Sequence, residues 1–251
     1  LLSFSGFVLI MLVSSVLGID FLKSFWSNEE RFTGWFYLLH MYLFFVVLCG
    51  FLKTKKEWNN FLFWNVCVAL LMLGVAILSL FGIKFWGVDL GKRISGLLGN
   101  PLFFASYLIL NLIISLYLFF DGAGRLRLFG GFSSLAFAVG IVLAQSRGAF
   151  FGLIGGLFAA LFLFVLGNKK YRVAGISAIV LLILSLSTLF VFKNSEFVMK
   201  NSILERFSNI SLSGGTAETR FISWQMAIKG IKERPLLGWG MEGFYAVFNK
   251  Y

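Results

Sequence analysis

The sequence predicts an all-α protein: a polytopic transmembrane helical bundle with an amphipathic helix in a large extracytoplasmic loop. The chain of 251 residues is 59% hydrophobic and only 13% charged, with a mean hydropathy of +0.89. A soluble domain cannot hide that much apolar surface. The apolar residues also gather in runs near the length that an α-helix needs to cross the hydrocarbon core of a membrane. Composition and run length therefore predict the same class.

The apolar runs predict about seven membrane spans. They cover residues 2–19, 32–52, 61–83, 102–120, 128–144, 148–167 and 173–192. The remaining residues, 193–251, are more polar. We therefore expect a transmembrane bundle over residues 1–192 and an extracytoplasmic segment over residues 193–251.

Basic residues in the short loops predict the orientation. Loops at residues 53–56, 125–127 and 169–172 carry more lysine and arginine than the loops between them. Positive loops stay in the cytoplasm, so Arg147 and residues 193–251 are expected outside. The net charge of +11 would suit nucleic acid in a soluble protein. Here it fits loops beside anionic membrane lipids, and no nucleic-acid partner is expected.

Arg147 is the first candidate functional residue, because it places a charge within the apolar run 128–167. A guanidinium keeps its proton in a low-dielectric environment, so it needs anionic partners or water. One interpretation is a binding site for an anion. The other is a tight turn between two spans, with the guanidinium reaching lipid headgroups.

Small residues follow Arg147 at every fourth position, namely Gly148, Gly152, Gly156 and Ala160. Such a stripe allows neighbouring helices to approach closely. It predicts a central, close-packed helix that begins near Arg147, which favours the binding-site interpretation. Before an earlier span, Gly99-Asn100-Pro101 predicts a helix start, since Asn caps well and Pro suits the first helical position.

The other polar residues of the spans have structural interpretations. Asn65 and Asn111 are expected to bond between helices. His40 is the only histidine, and we expect a neutral ring bonded to a backbone carbonyl. Cys49 and Cys67 lie in apolar runs without a disulfide or metal-ligand pattern, so they are expected to pack as small apolar residues.

Residues 216–234 predict the amphipathic helix of the outer segment. One face carries Phe221, Trp224, Ile228 and Ile231, which is expected to lie on the membrane or across the mouth of the bundle. Thr216 is the expected N-cap, and Pro235 discourages helix at the preceding residue. Arg220 falls in the first turn, where the helix dipole already favours an anion. Two arginines on one membrane face predict a pyrophosphate clamp, and the sequence has no metal-binding pattern.

Two motifs resemble the O-antigen ligase and O-antigen polymerase superfamily. The first is Ser146-Arg147-Gly148-Ala149, which opens the glycine-striped span. The second begins at Glu218-Thr219-Arg220, continues through Trp224, Ala227 and Ile231-Lys232, and ends with Pro235-Leu236-Leu237-Gly238-Trp239-Gly240. Gly99-Asn100-Pro101 before a span is a further similar feature.

This resemblance implies a metal-independent, inverting glycosyltransferase of the O-antigen ligase type, without a cofactor, in the bacterial cytoplasmic (inner) membrane. The donor would be a glycan on undecaprenyl pyrophosphate, and the acceptor a hydroxyl of a lipid or glycan, as in lipopolysaccharide. Arg147 and Arg220 match the arginines of the family's motifs and would stabilise the departing pyrophosphate. Glu218, Trp224 and Arg93 are the further residues expected to bind substrate.

The motifs leave alternatives open. O-antigen polymerases and proteins once labelled bicarbonate transporters share them, so a polymerase, a small-anion transporter and a scaffold that binds lipid-linked sugar remain alternatives. The family also has a histidine beyond the Gly-Trp-Gly motif that is proposed to activate the acceptor. The sequence ends before that position and His40 does not match it, so we expect the chain to be a fragment of a longer protein.

Overall fold

The computed structural model of the protein describes residues 1–28, 32–83, 93–167, 169–192, 195–200 and 216–251, and every regular element that these residues form is helical. This confirms the predicted all-α class. The α-helices are α1 (Leu2–Val16), α2 (Phe21–Trp26), α3 (Trp35–Phe51), α4 (Lys55–Leu80), α5 (Pro101–Asp121), α6 (Arg125–Leu143), α7 (Arg147–Gly167), α8 (Arg172–Val191), α9 (Glu196–Lys200), α10 (Thr216–Glu233) and α11 (Phe244–Lys250). Short 3₁₀ turns occupy Gly96–Leu98 and Lys169–Tyr171.

Each predicted span corresponds to one apolar helix. Within the described part of the chain, four helices are long and apolar enough to cross a membrane, namely α4, α5, α6 and α7. The apolar helices α1 and α3 are shorter, as is the apolar stretch Arg172–Ser185 within α8, so the number of seven spans stays a prediction. The first span ends earlier than predicted because Asp20 caps the separate short helix α2, accepting a 3.0 Å hydrogen bond from the backbone N–H of Lys23.

The chain forms two compact units. The first consists of Leu1–Thr54 with Ser211–Tyr251, and the second of Lys55–Ile210. The first unit therefore contains Arg220, and the second contains Arg147. The predicted division at residue 192 into membrane and extracytoplasmic parts stays a prediction.

The most extensive contact between two helices in the described second unit is that between α5 and α6. Gly130 of α6 lies against the backbone of α5: a Cβ built there would be 2.6 Å from the nitrogen of Phe119 and 2.7 Å from the carbonyl oxygen of Ser115. Only a residue without a side chain fits at such a distance. Phe104, Leu108 and other fully buried apolar side chains form the core beside this crossing.

Polar side chains within the spans have the structural roles that the sequence predicts. The side-chain amide of Asn65 donates a 2.8 Å hydrogen bond to Oδ1 of Asn111, which joins α4 to α5. Nδ1 of His40 lies 2.8 Å from the carbonyl oxygen of Phe36, one turn earlier in α3. Both predicted hydrogen bonds are confirmed. Cys49 and Cys67 are unpaired thiols, each partly buried.

The predicted close packing of α7 through its small residues is wrong for the described part of the chain. No described heavy atom, apart from the adjacent backbone of the helix itself, comes within 4 Å of a Cβ built on Gly152 or Gly156, and Ala160 is exposed. Only Gly148 meets a neighbour, with Cδ1 of Leu102 at 3.5 Å. A stripe of small residues permits close packing, but it does not supply the partner helix.

Candidate functional site

Arg147 is the first residue of α7, directly after the residue that caps this helix. The hydroxyl of Ser146 accepts a long, 3.5 Å hydrogen bond from the backbone N–H of Ala149, and its carbonyl oxygen accepts a 3.0 Å bond from that of Phe150. Gln145 has a φ of 49° and turns the chain between α6 and α7. Sequence reasoning missed the capping role of Ser146, although serine before an apolar run is a typical N-cap signal.

The position of Arg147 favours anion binding. Its side chain is exposed, and it adds a full positive charge at the end of a helix where the dipole is already positive. The backbone N–H groups of a first turn point outward and suit an anionic oxygen. The tight turn and the anion-binding interpretation are therefore compatible, because the turn is what exposes the start of α7.

The starts of α5 and α7 lie at the same end of the second unit, since Leu102 meets Gly148. At this end, Oδ1 of Asn100 accepts a 2.8 Å hydrogen bond from the backbone N–H of Leu102, and Pro101 is the first helical residue. The helix start predicted at Gly99-Asn100-Pro101 is confirmed. Asn100 thus lies near the helix end that carries Arg147.

Arg93 precedes a buried segment in the same unit. It is half-buried and is followed by the buried residues Ile94 and Ser95. The 3₁₀ turn at Gly96–Leu98 then packs against α4 and α5. The segment between Arg93 and the start of α5 is therefore held in place by packing.

The opposite end of the second unit carries basic residues of the loops that are predicted to be cytoplasmic. Nζ of Lys55 at the start of α4 lies 2.8 Å from Oδ2 of Asp121 at the end of α5. Arg125, the exposed first residue of α6, follows this ion pair. Arg125 therefore has the same position in its helix as Arg147, at the other end of the unit.

α10 carries three of the predicted site residues, namely Glu218, Arg220 and Trp224. Glu218 is exposed in its first turn, and Arg220 is exposed directly after that turn. Trp224 is exposed one turn later, with its ring centroid 5.6 Å from that of Phe221 in an edge-to-face arrangement. The helix ends at Glu233, before Pro235. The expected cap, Thr216, is itself the first helical residue. The helix therefore begins one residue earlier than predicted.

α10 packs through its small residues. A Cβ built on Gly230 would lie 2.8 Å from Cγ1 of Val247 in α11, and the indole N–H of Trp239 donates a 3.0 Å hydrogen bond to the carbonyl oxygen of Gly230. Ser223, Met226 and Ala227, on the same side of the helix, are partly buried. The predicted apolar face lies on the other side and is exposed.

Residues 235–243, here called the Trp239 loop, connect α10 to α11 and are bound by the N-terminal helices. The hydroxyl of Ser14 donates to the carbonyl oxygen of Leu237 at 2.5 Å, and that of Ser24 to the carbonyl oxygen of Met241 at 2.7 Å. The hydroxyl of Thr33 donates to Oε1 of Glu242 at 2.8 Å.

Gly18 makes the closest backbone approach to the Trp239 loop. A Cβ on Gly18 would lie 2.9 Å from both Cα of Gly240 and the carbonyl oxygen of Trp239. Sequence reasoning did not find this contact or the three hydroxyl donors to the loop. The sequence shows small residues near the end of the first apolar run, but nothing in it names their partner.

A cluster of charged and aromatic side chains joins the C-terminal end of α10 to the C-terminal end of α11. Glu233 accepts hydrogen bonds from Nζ of Lys250 at 2.5 Å and from the hydroxyl of Tyr251 at 3.0 Å. The bond from Lys250, followed by that from Tyr251, lowers the pKa of Glu233 below its ordinary value. The same bonds to Glu233 raise the pKa of Lys250 and of Tyr251. The guanidinium of Arg234 stacks 4.6 Å from the centre of the Trp239 ring.

The described residues include no group of three or more His, Cys, Asp or Glu side chains that could hold a metal ion. The charges at the two helix starts are instead carried by arginines. Arg147 in the second unit and Arg220 in the first are both exposed near the start of a helix. Each has the chemistry to bind a phosphate group.

Comparison with protein families gives one match. Residues 132–251 match the family model described as O-antigen ligase. The matched region includes Arg147, α10 and the Trp239 loop. Comparisons with curated proteins and with solved structures found no match.

The long apolar helices are those of a membrane protein. The matched family model supports glycosyl transfer of the O-antigen ligase or polymerase type in general. The matched residues include both motifs, the one at Arg147 and the one that begins at Glu218, that resemble this family. The chain is therefore similar to the O-antigen ligase family over residues 132–251, just under half of its length.

Proposed function

We propose that the protein transfers a glycan from undecaprenyl pyrophosphate to an acceptor hydroxyl at the outer face of the bacterial cytoplasmic membrane. Arg147 and Arg220 bind the pyrophosphate and stabilise it as it departs. The reaction needs no metal ion and inverts the configuration at the anomeric carbon. The family match supports glycosyl transfer in general, and the proposed donor, side of the membrane and stereochemistry extend it.

The observation that carries this proposal is the shared position of the two arginines. Arg147 is the exposed first residue of α7 and Arg220 is the exposed fifth residue of α10. Each therefore lies near the start of a helix, where the helix dipole adds to the positive charge of the guanidinium. A pyrophosphate leaving group gains negative charge as its bond to the sugar breaks. Hydrogen-bond donors that point at this developing charge stabilise the transition state more than the bound glycan substrate, and they therefore lower the barrier.

The proposed chemistry is a single displacement. The acceptor oxygen forms a bond to the anomeric carbon while the bond from that carbon to the pyrophosphate oxygen breaks. The electron pair of the broken bond stays on the pyrophosphate, next to the arginines. The acceptor hydroxyl loses its proton to a base or to water. Attack opposite to the leaving group inverts the anomeric configuration.

Three further residues are proposed to bind substrate. Trp224 has 61% of its surface exposed and offers an indole face to a sugar ring. Glu218 lies two residues before Arg220 and can accept hydrogen bonds from sugar hydroxyls. Arg93 is proposed to bind the anionic part of the donor.

The test uses the full-length protein in lipid vesicles, with an undecaprenyl-pyrophosphate glycan, an acceptor and a chelator. Arg147→Ala and Arg220→Ala are each expected to lower turnover by roughly 100-fold or more, the cost of removing one donor to a developing oxyanion. The matched control is Arg125→Ala, which removes the exposed first residue of α6 and is expected to retain activity. The anomeric configuration of the product, read by NMR, tests inversion.

Three outcomes would contradict parts of this proposal. Normal turnover in both arginine variants would exclude the clamp. Activity that disappears with the chelator would exclude the metal-independent mechanism. Addition of many donor units to one growing chain, rather than a single transfer, would favour the polymerase.

A further inference from the structure

α10 has a large apolar surface that the described residues of the first unit leave exposed. The exposed fractions are 48% for Phe221, 61% for Trp224, 53% for Ile228 and 62% for Ile231. Leu236, just after the helix, is 93% exposed. Phe221, Ile228, Ile231 and Leu236 are here called the outer face of α10. Trp224 borders this face and is the residue proposed above to bind the sugar. Contiguous apolar surface of this kind marks a contact with another phase or another molecule.

The outer face is separate from the packing face of the helix. Residues that follow each other by three or four positions share one side of a helix. Ser223, Ala227 and Gly230 form the side that faces Val247 and Trp239. Because this contact is made by small residues, α11 approaches closely and the large side chains all remain on the other side.

The first unit holds this helix beside the end of an apolar helix. The hydroxyl of Ser14, in the last turn of α1, bonds to the carbonyl oxygen of Leu237. Leu237 directly follows Leu236, the last residue of the outer face. That end of the outer face therefore lies beside the end of α1. Since α1 corresponds to a predicted membrane span, its end is expected near the boundary between hydrocarbon and headgroups.

The residues around the outer face suit a negatively charged headgroup region. Lys229 and Lys232 are exposed and each follows a residue of the outer face, Ile228 and Ile231. Their long side chains can extend from an apolar surface to phosphate groups. Within residues 216–251, five lysines and arginines outnumber three glutamates. Tryptophan at such a boundary is also typical of membrane interfaces.

We propose that the outer face of α10 binds the surface of the lipid bilayer, with Lys229 and Lys232 contacting anionic lipid headgroups. The helix lies in the plane of the interface, and Leu236 inserts next to the end of α1. The partner is therefore an anionic phospholipid surface rather than a second protein. The contact fixes the depth of the helix that carries Arg220.

The experiment places spin labels on the full chain in bilayer nanodiscs. In a background of Cys49→Ala and Cys67→Ala, single labels are attached at Ile228→Cys and Leu236→Cys. The matched control is Thr219→Cys, on the opposite side of α10. Accessibility to oxygen and to a water-soluble nickel complex, measured by power saturation, gives the depth. In bilayers with phosphatidylglycerol, labels at 228 and 236 are expected about 5–10 Å below the phosphate level, and the label at 219 in water.

A second arm tests the charge. In pure phosphatidylcholine, and in the double variant Lys229→Gln/Lys232→Gln, the label at 228 is expected to move towards water. Three results would overturn the proposal: equal nickel accessibility at 228 and 219, the same depth with and without anionic lipid and lysines, or broadening of the 228 signal that disappears when labelled protein is diluted with unlabelled protein. The last result would assign the face to a second copy of the chain.

Discussion

The hydroxyl of Ser24 donates a 2.7 Å hydrogen bond to the carbonyl oxygen of Met241, so α2 holds the loop that follows α10. Met241 lies within the region that matches the family model, residues 132–251, whereas Ser24 lies outside it. The loop that contains the Gly-Trp-Gly motif is therefore supported by residues that the family match does not include. Changes in the N-terminal helices are expected to affect the motif through this contact.

Gly18→Val tests the contact between α1 and the Trp239 loop. A Cβ at position 18 would meet backbone atoms of Trp239 and Gly240 at 2.9 Å, and backbone cannot move aside as a flexible side chain can. We expect the loop to separate from α1, with faster amide hydrogen exchange over residues 236–243. Gly6→Val is the control, because a Cβ there has nothing within 4 Å in the described structure. Equal exchange in both variants would contradict the prediction.

Gly130→Val is expected to destabilise the second unit. The new side chain would push α6 away from the backbone of Phe119 and Ser115, and overpacking of this kind costs about 1–3 kcal/mol. The measurement is thermal unfolding in detergent, followed by circular dichroism. Gly152→Val is the matched control within another apolar helix, where the described neighbours leave room. If the two variants unfold alike, Gly130 is not the position of closest packing.

Ser146→Ala is expected to weaken the first turn of α7. Loss of a serine cap costs about 1 kcal/mol, and the amide of Ala149 loses its side-chain acceptor. Hydrogen exchange at residues 148–150 should therefore accelerate. Ser106→Ala, which removes a hydroxyl bonded to a carbonyl within α5, should leave this exchange unchanged. No acceleration in the first variant would show that Ser146 does not cap the helix.

The contact of Glu233 with Lys250 and Tyr251 is expected to depend on pH. These partners lower the pKa of Glu233, so the ionised carboxylate stabilises the contact above the ordinary pKa of Glu. That stabilisation is lost as the pH falls through the lower pKa of the folded state. In protein labelled with ¹³C at the carboxyl of Glu, the resonance that Glu233→Gln removes should titrate at a lower pH than an ordinary glutamate.

The variant Lys250→Met isolates the cause of this pH dependence. Without the ammonium donor, the titration of Glu233 should move up towards its ordinary range. Lys229→Met removes a nearby positive charge but keeps both partners of Glu233, so the titration should stay low. An unchanged titration after Lys250→Met would exclude Lys250 as the main cause.

The sequence by itself determined the features that depend on local composition. Run length and hydropathy predicted the all-helical membrane class and located an apolar helix at each proposed span. Asn100-Pro101 predicted the start of α5, because a cap and the first helical residue act within one turn. His40 was assigned to a backbone carbonyl. Asn65 and Asn111 were expected to bond between helices, because an unpaired polar group is costly in an apolar bundle.

Only the tertiary structure decided which surfaces meet. The glycine stripe of α7 predicted close packing, yet Gly130 of α6, outside that stripe, lies against the backbone of a neighbouring helix. In α10 the conspicuous apolar face is exposed and the small-residue face packs. Ser14 and Gly18 find their partners more than 200 residues later in the chain. A periodic pattern shows what a surface can tolerate, whereas its partner depends on contacts between distant segments, which form only when the chain folds.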